Sequence, residues 1–597
     1  MARVWSEAEM RFLVAQLNDE ESIQTIVSRF NDKFESRTYD SIQKKIKRLA
    51  NLDPDTLQEL FKPQARNELS VEQQETLDLY ATVLKREGRR PTMAELQDSG
   101  ITRSALRHRW GNLRKLEKAA REKYSDLFNE VRVSDIYTSE TKARLLGNIE
   151  STQTFIITTA VTGSRVSQNF LDSIDVFCEE NNAELLIMIA SDPAHQWAHD
   201  DSLGNVDRIL EDRNLIVEEV ALNDNLYLSE IKLSAKQIDP VTGMAYLAQQ
   251  GGSYMFASPK QRLQFVPVRM GKHPPAIMGT GAITVPAYVT DMYMSRRTGY
   301  MAGKSHVMGA IVVEVENNEI FHFRQVQADK DGSFIDWGIK YTPTGTESAE
   351  VLALICGDEH AGRGDPEVIR ARHNLIEELQ PKELVLHDLF DGRSISHHTE
   401  HKTITRAKRA RDSHDDLRDE LLSCLKSLQE YSPLVDNIVI VKSNHDEHLV
   451  RYLEDGRFLK DRKNYRISLD LAAAIYDGDD PVAAGLELLI DEDVPENILW
   501  LQRDQEYIVA GVELHHHGDR GPNGAKGGIK AFARTARASV TGHSHTAEIY
   551  GGAYRVGTST GRLDYCVGPS SWTNTDCILY ENGSRQLVNY INGKYRP

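Results

Sequence analysis

Val351-Leu352-Ala353-Leu354-Ile355-Cys356-Gly357-Asp358-Glu359-His360 sets a short apolar run directly before a carboxylate and an imidazole two positions apart. Such a run reads as a buried strand. Asp358 and His360 would then project from its C-terminal edge, where open α/β sheets place their sites. The pattern returns four times. Glu383 to Leu386 ends in His387-Asp388-Leu389-Phe390-Asp391, and Asn437 to Val441 ends in Lys442-Ser443-Asn444-His445-Asp446. Tyr507 to Val512 leads to His515-His516-His517-Gly518-Asp519, and Ala538 to Val540 leads to Thr541-Gly542-His543-Ser544-His545. A lone Asp-x-His or His-x-His is a surface or core polar pair in most proteins. Five strand ends in one domain, each delivering Asp, Asn or His, describe a single site.

In this order the blocks resemble those of the calcineurin-like metallophosphoesterase superfamily, D-x-H, G-D-x-x-D, G-N-H-D/E, H and G-H-x-H. The resemblance implies an α/β sandwich over residues 346–597 that holds two divalent metals. Carried over by motif position, Asp358, His360 and His545 hold one metal, Asn444, His517 and His543 hold the other, and Asp388 bridges. Metals about 3.5–4 Å apart polarise phosphoryl oxygens and lower the pKa of a bridging water, so that hydroxide attacks in line. His445 would give a proton to the leaving oxygen, a role suited to imidazole, and Asp446 would orient His445 or a neighbour. His387 and Ser443 stand where the family has glycine, which implies altered loop geometry around an intact cage. His515 and His516 compete for the fourth block, but His517 directly precedes Gly518 as the family pattern requires. Ligands without thiolate suit Mn²⁺, Fe²⁺ or Zn²⁺, with Mn²⁺ expected of a nuclease. Arg393, Arg520 and Lys526, near the second block and in the Gly-rich stretch after His517, are candidates to meet a substrate phosphate. Otherwise that stretch is merely a flexible loop.

Ahead of this domain the chain changes character twice. Trp5 to Leu49 holds three helical stretches, the last with Ile42, Ile46 and Leu49 at i, i+4, i+7 and Lys44, Lys45, Lys47 and Arg48 mostly on other faces. Trp5, Phe12, Ile23, Ile26 and Phe30 would supply the core, and the unit (1–66) resembles a Myb/SANT-like helix-turn-helix domain. In a second unit (67–130), Ser70 with Gln73 and Thr92 with Glu95 have capping-box spacing. After Gly100, Thr102 would cap a basic helix running to about Lys123, with Arg103, Arg107, Arg109 and Arg114 outward and Leu106, Trp110, Leu113 and Leu116 inward. That is a helix-turn-helix layout, with DNA as the expected partner. Solvated faces of a helical oligomerisation domain are the plainer alternative.

Residues 131–345 read as an α/β domain of unassigned role. Thr154–Val161 is a strand, Ser167–Cys178 a helix and Ala183–Ala190 a strand. Arg262–Arg269 and His306–Val315 are further strands, and Glu316-Asn317-Asn318-Glu319 is a hairpin turn. The loop Thr162-Gly163-Ser164-Arg165 lacks Walker or Rossmann spacing and reads as structural.

The 597 residues are 40% hydrophobic and 27% charged, with no apolar run near the roughly 20 residues of a membrane span. Five scattered cysteines without Cys-x-x-Cys spacing fit reduced thiols. These readings place the chain in the cytoplasm, the host's if it is phage-encoded. Net charge is −18, yet residues 1–150 balance acid against base, so the excess lies in the remainder.

The superfamily includes protein phosphatases, nucleotide phosphodiesterases and nucleases of the Mre11 and SbcD kind, so the attached modules must choose the substrate. Two DNA-binding units favour a DNase, and the arrangement looks like a phage-encoded metallophosphoesterase DNase, with a homo-oligomer left open. The rivals are a protein or small-molecule phosphatase, and a DNA-binding scaffold or regulator with an inactive esterase domain. Asp388-Leu389-Phe390-Asp391-Gly392-Arg393 lacks the Asp-Arg-Gly continuation of Ser/Thr phosphatases.

Overall fold

Alternation along Val351–Ile355 sorts the core: Ala353 and Ile355 face one apolar cluster, Leu354 and Cys356 another. The neighbouring strands repeat it, with Val385 and Val439 on the first side and Leu384, Leu386, Ile438 and Ile440 on the second. Period-two alternation with both faces apolar is what a covered sheet demands. The sheet has six strands, in the order Ile498–Trp500, Asn437–Ile440, Glu383–Leu386, Val351–Ile355, Thr575–Tyr580, Arg585–Asn589. The first four are parallel, and the C-terminal pair closes the sheet antiparallel. On the second face lie the helices Pro366–Leu379 and Leu417–Tyr431, each opened by an aspartate, Asp365 or Asp416, that accepts from the first-turn amides.

The computed structural model describes residues 12–13, 23–34, 39–50, 69–87, 91, 93–128, 130–136, 152–190, 204–235, 237–248, 251–269, 273–286, 297–489 and 493–597. The protein is a multidomain α/β chain that divides into two units, 1–128 and 129–597. Within the larger unit the first face of the six-stranded sheet meets a ten-stranded one. Its C-terminal half comprises Ile508–Val509, Val512–Glu513, Ala538–Thr541, Ala553–Arg555 and Glu548–Tyr550. Glu548–Tyr550 then pairs antiparallel with Arg262–Phe265, so the sheet runs on into the middle region. Arg262, 2% exposed, secures this seam through Glu548 (2.9 Å), Asp239 (3.1 Å) and the Ile549 carbonyl (2.7 Å). The boundary expected near residue 345 therefore falls inside one unit, because strands from both sides share a sheet and a core.

The middle region also holds a five-stranded sheet, with Gln153–Val161 and Ala183–Ala190 parallel around the helix Gln168–Asn181. The turn at 316–319 joins Gly309–Val315 to Phe321–Gln327 as a hairpin. One expected strand differs. Tyr507 to Val512 is a tight hairpin, since Ala510 (φ 47°) and Gly511 (φ 79°) take the two positive-φ positions of a primed turn.

In the smaller unit, Leu13, Ile26, Phe30, Ile42 and Leu49 form one core, with Ile46 against it, across the helices Ile23–Lys33 and Tyr39–Ala50. Trp5 and Thr92 lie outside the described residues. Ser70 and Gln73 form the reciprocal cap of Val71–Glu87 (3.1 and 3.2 Å), and the Thr102 hydroxyl accepts from Ala105. The single basic helix expected to Lys123 is two, Arg103–Trp110 and Leu113–Lys123. Gly111 stops the first at φ 75°, and Asn112 caps the second. Leu106, Trp110 and Leu116 remain buried together.

Candidate metal centre

The strand ends deliver their side chains to one dry point. Asp358, His360, Asp388, His517 and His545 are each at most 4% exposed. His545 Nε2 lies 3.2 Å from Asp358 Oδ2 and 3.1 Å from His360 Nε2, and His517 Nε2 lies 3.2 Å from Asp388 Oδ2. Donor atoms of Asp358, His360, Asp388 and His545 all fall within 4.8 Å of one another. The His543 amide donates to Asp358 Oδ1 (3.0 Å), and its ring centroid is 5.2 Å from that of His517. Asp388 Oδ1 and Asn444 Oδ1 are buried without a hydrogen-bond partner. An unmet buried acceptor costs about 1–3 kcal/mol, more when charged. Facing imidazole nitrogens beside unmet oxygens fit a divalent cation, which the cluster could hold.

Backbone geometry is unusual at the same residues. His360, Asp388, His543 and His545 have φ of 44°, 47°, 76° and 56°. Positive φ costs non-glycine residues about 1–3 kcal/mol each and collects where function requires it. Gly542 answers a different demand, close approach: a Cβ there would stand 2.2 Å from Asp358 Oδ1.

Electrostatics follow from burial and pairing. Burial opposes ionisation of Asp388, yet the neighbouring His517 and His445 hold its carboxyl well below the usual carboxylate range. Burial likewise works against a charged His517, but Asp388 and then Asp358 bring its pKa up to about 9. His387 is fully buried, both ring nitrogens lack partners, and burial with His517 nearby pushes it down to about 4.

Asp391 is the residue that sequence reasoning left out of the site. Its carboxylate accepts from His360 Nδ1 (2.9 Å), turning Nε2 toward His545, and its carbonyl accepts from His445 Nδ1 (2.5 Å). One residue thus orients two imidazoles. The signal was present in the block Asp388-x-x-Asp391. Of the two partners expected for Asp446, the hydrogen bond goes to a neighbour, Ser443. Its carboxylate accepts from the Ser443 amide (2.8 Å) while the Ser443 hydroxyl accepts from the His445 and Asp446 amides, a capping box at the start of Asn444–Glu454. Burial raises Asp446 to about 6. Serine at position 443 thus supplies the cap that fixes this turn.

Of the three histidines at 515–517 only His517 enters the cluster. His515 Nδ1 lies 3.1 Å from the Tyr507 amide nitrogen, and the His516 ring rests near Phe532, centroids 5.5 Å apart. Arg393 pairs with Asp564 (3.2 Å), Arg520 with Glu447 (2.7 Å), and Lys526 is exposed on the strand-like bridge opposite Arg520. Arg363, between Asp391 (3.4 Å) and Asp564 (3.5 Å), is a further basic residue here. Half-buried Trp572 packs edge-on against His545 (4.2 Å), with Tyr565, 55% exposed, beside it (5.8 Å). Neither aromatic stands in a recognisable motif. In the smaller unit Lys44, Lys47, Arg103 and Arg107 are exposed and Lys45 is half-buried, while the side chains of Arg48 and Arg114 lie outside the described residues. Arg109 turns inward instead, donating to Thr76 (3.1 Å) and pairing with Glu72 (3.5 Å).

Fold and site together define a multidomain α/β protein with a buried aspartate and histidine cluster of metal-ligating chemistry. No family model matches the chain, and no solved structure matches it. It is 30% identical over 473 residues to Protein A1 of Escherichia phage T5, covering 74% of this chain and 82% of that one. The chain belongs to the family of that phage protein. Among the described residues no helix is long and apolar enough to cross a membrane.

Proposed function

We propose that this chain is a two-metal phosphodiesterase of the calcineurin-like kind, acting on DNA. The convergence of Asp358, His360, Asp388, His517 and His545, with acceptor atoms buried and unmet, carries the reading. Asp358, His360 and His545 would hold one ion, Asn444, His517 and His543 the other, with Asp388 between, Mn²⁺ before Fe²⁺ or Zn²⁺. Bound there, divalent metal supplies Lewis acidity and an activated water at neutral pH. The polypeptide's own part is orientation and proton transfer. His445 commits Nδ1 to the Asp391 carbonyl, so Nε2 is the nitrogen that hands a proton to the leaving oxygen. Trp572 and Tyr565 offer stacking faces for bases, and Arg363 and Arg393 offset phosphate charge. The exposed cations of the smaller unit add sequence-independent attraction to the backbone of DNA. Membership in a phage protein family fits a DNase working in the host cytoplasm.

The test is a screen of chelator-treated full chain, reloaded with Mn²⁺, Fe²⁺ or Zn²⁺, against linear DNA, a phosphomonoester and a phosphopeptide. DNA cleavage that Asp388→Ala and His445→Ala each abolish, with DNA binding intact, is the expected result. Rapid phosphomonoester cleavage with DNA untouched would return the phosphatase reading. Inactivity with every metal would favour the scaffold.

A further inference from the structure

Beyond Asp391 the chain reverses through Gly392, at φ 68°, and reaches the 3₁₀ turn His397–Thr399. That turn holds two adjacent imidazoles at a tilt, centroids 3.8 Å apart, and sets them beside His448 on the helix Asn444–Glu454, at 5.1 and 6.0 Å. His448 follows Asn444 by four residues, hence on the same helical face one turn on. One ligand nitrogen from each of the three histidines lies within 4.8 Å of the others. The nearest cations are already paired: Arg451 with Glu447 (3.3 Å), Arg457 with Glu400 (3.6 Å) and Asp455 (3.9 Å).

We propose that His397, His398 and His448 form a third metal site, separate from the Asp358 and Asp388 cage, that takes a nitrogen-preferring divalent ion such as Zn²⁺. Zinc–imidazole bonds of about 2.0–2.1 Å require the nitrogens to close by roughly 1 Å. His398, exposed on a short turn, can supply that movement. Three imidazoles without carboxylate select zinc, copper or nickel over manganese and magnesium. The two sites therefore differ in metal preference. Three histidines leave a fourth position for solvent or a substrate oxygen, and the site adjoins His445, whose ring lies 5.1 Å from that of His448.

The experiment strips the full chain with chelator, adds excess Zn²⁺, removes unbound metal by gel filtration and counts bound metal by elemental analysis. Wild type is expected to hold three equivalents, with one lost in the His397→Ala/His448→Ala variant. The same loss is expected in His398→Ala, whose exposed position leaves folding undisturbed. Unchanged stoichiometry in both variants overturns the proposal. Asp388→Asn separates this site from the cage. If wild type holds a single equivalent that Asp388→Asn keeps and His398→Ala loses, the third site stands and the two-metal reading fails.

Discussion

Replacing Arg372 with methionine tests what supports the ligand loop. The guanidinium is fully buried and donates to Asp576 Oδ1 and Oδ2 (both 2.8 Å), Glu359 (2.7 Å), the Ser559 hydroxyl (2.6 Å) and Tyr431 (3.1 Å). Glu359 sits between Asp358 and His360 of the buried cluster, and Asp576 also accepts from the Gly357 amide (2.8 Å). Methionine fills a similar volume but strands two buried carboxylates, and removing one partner of a buried pair costs about 3–5 kcal/mol. Urea denaturation of the full chain should show that loss. Asp576→Asn in the same background should recover part of it, with a coupling of about 0.5–3 kcal/mol in the double-mutant cycle. Metal affinity should fall by about 10–100-fold, as when a group behind a ligand is lost. A cost below about 1 kcal/mol, the range of an exposed ion pair, would show that this network does not support the loop.

Asp391→Asn should weaken metal binding by about 10–100-fold, measured by competition with a chelator; unchanged affinity would mean that His360 needs no orientation. Gly542→Ala drives a methyl onto Asp358 Oδ1 and should abolish metal binding while circular dichroism stays the same; an active variant would contradict the cage geometry. Lys260→Met should stabilise the protein. Lys260 is 5% exposed, donates to the Gln237 carbonyl, and burial lowers its pKa to about 8. From about pH 8 to 10.5 the unfolded chain then binds more protons than the folded one, so wild-type stability rises with pH. At pH 7, with both states protonated, the charge costs on the order of 3 kcal/mol. The variant's advantage in denaturant midpoint should be largest at pH 7 and shrink toward pH 10, and no advantage at pH 7 would refute the argument. Alanine at Lys44, Lys47, Arg103 or Arg107 should each lower the salt slope of DNA binding by about one, by fluorescence anisotropy, whereas Arg109→Ala should lower stability of the smaller unit instead. Equal slopes throughout would remove these residues from the interface.

Much of this arrangement was legible in sequence because apolar periodicity and ligand chemistry coincide at the strand ends. Val351–Ile355 and Leu384–Leu386 are uninterrupted apolar runs, and a polar residue after such a run marks where the sheet edge begins. What escaped reading depended on distance in the chain or on turns. Arg262 joins Glu548 across the seam that merges the middle region with the C-terminal one, and neither residue signals the other locally. Ala510 gives no hint of the positive φ that makes a strand into a hairpin, and an inward arginine at position 109 looks like its outward neighbours. Asp391 was legible and passed over, since a residue that orients a ligand has the same type as one that binds metal.

The positive φ angles at His360, Asp388, His543 and His545 raise the question of what keeps them in place without glycine. At about 1–3 kcal/mol each their combined cost approaches the whole stability of an ordinary domain, so compensation must be local. It comes from the loops holding one another. The Glu359, His360 and Ala361 amides donate to the His387, Asp388 and Leu389 carbonyls (2.9, 2.8 and 3.0 Å), extending the parallel pairing beyond the strands themselves. The Gly542 amide donates to the His517 carbonyl (2.7 Å), and the His545 carbonyl accepts from Thr573 (2.9 Å). Residues 359–361 are thus bonded through the backbone to 387–389, and Gly542 to His517. The positive φ angles are thereby held by main-chain bonds, which leaves side-chain identity at these four positions to the chemistry of the cluster.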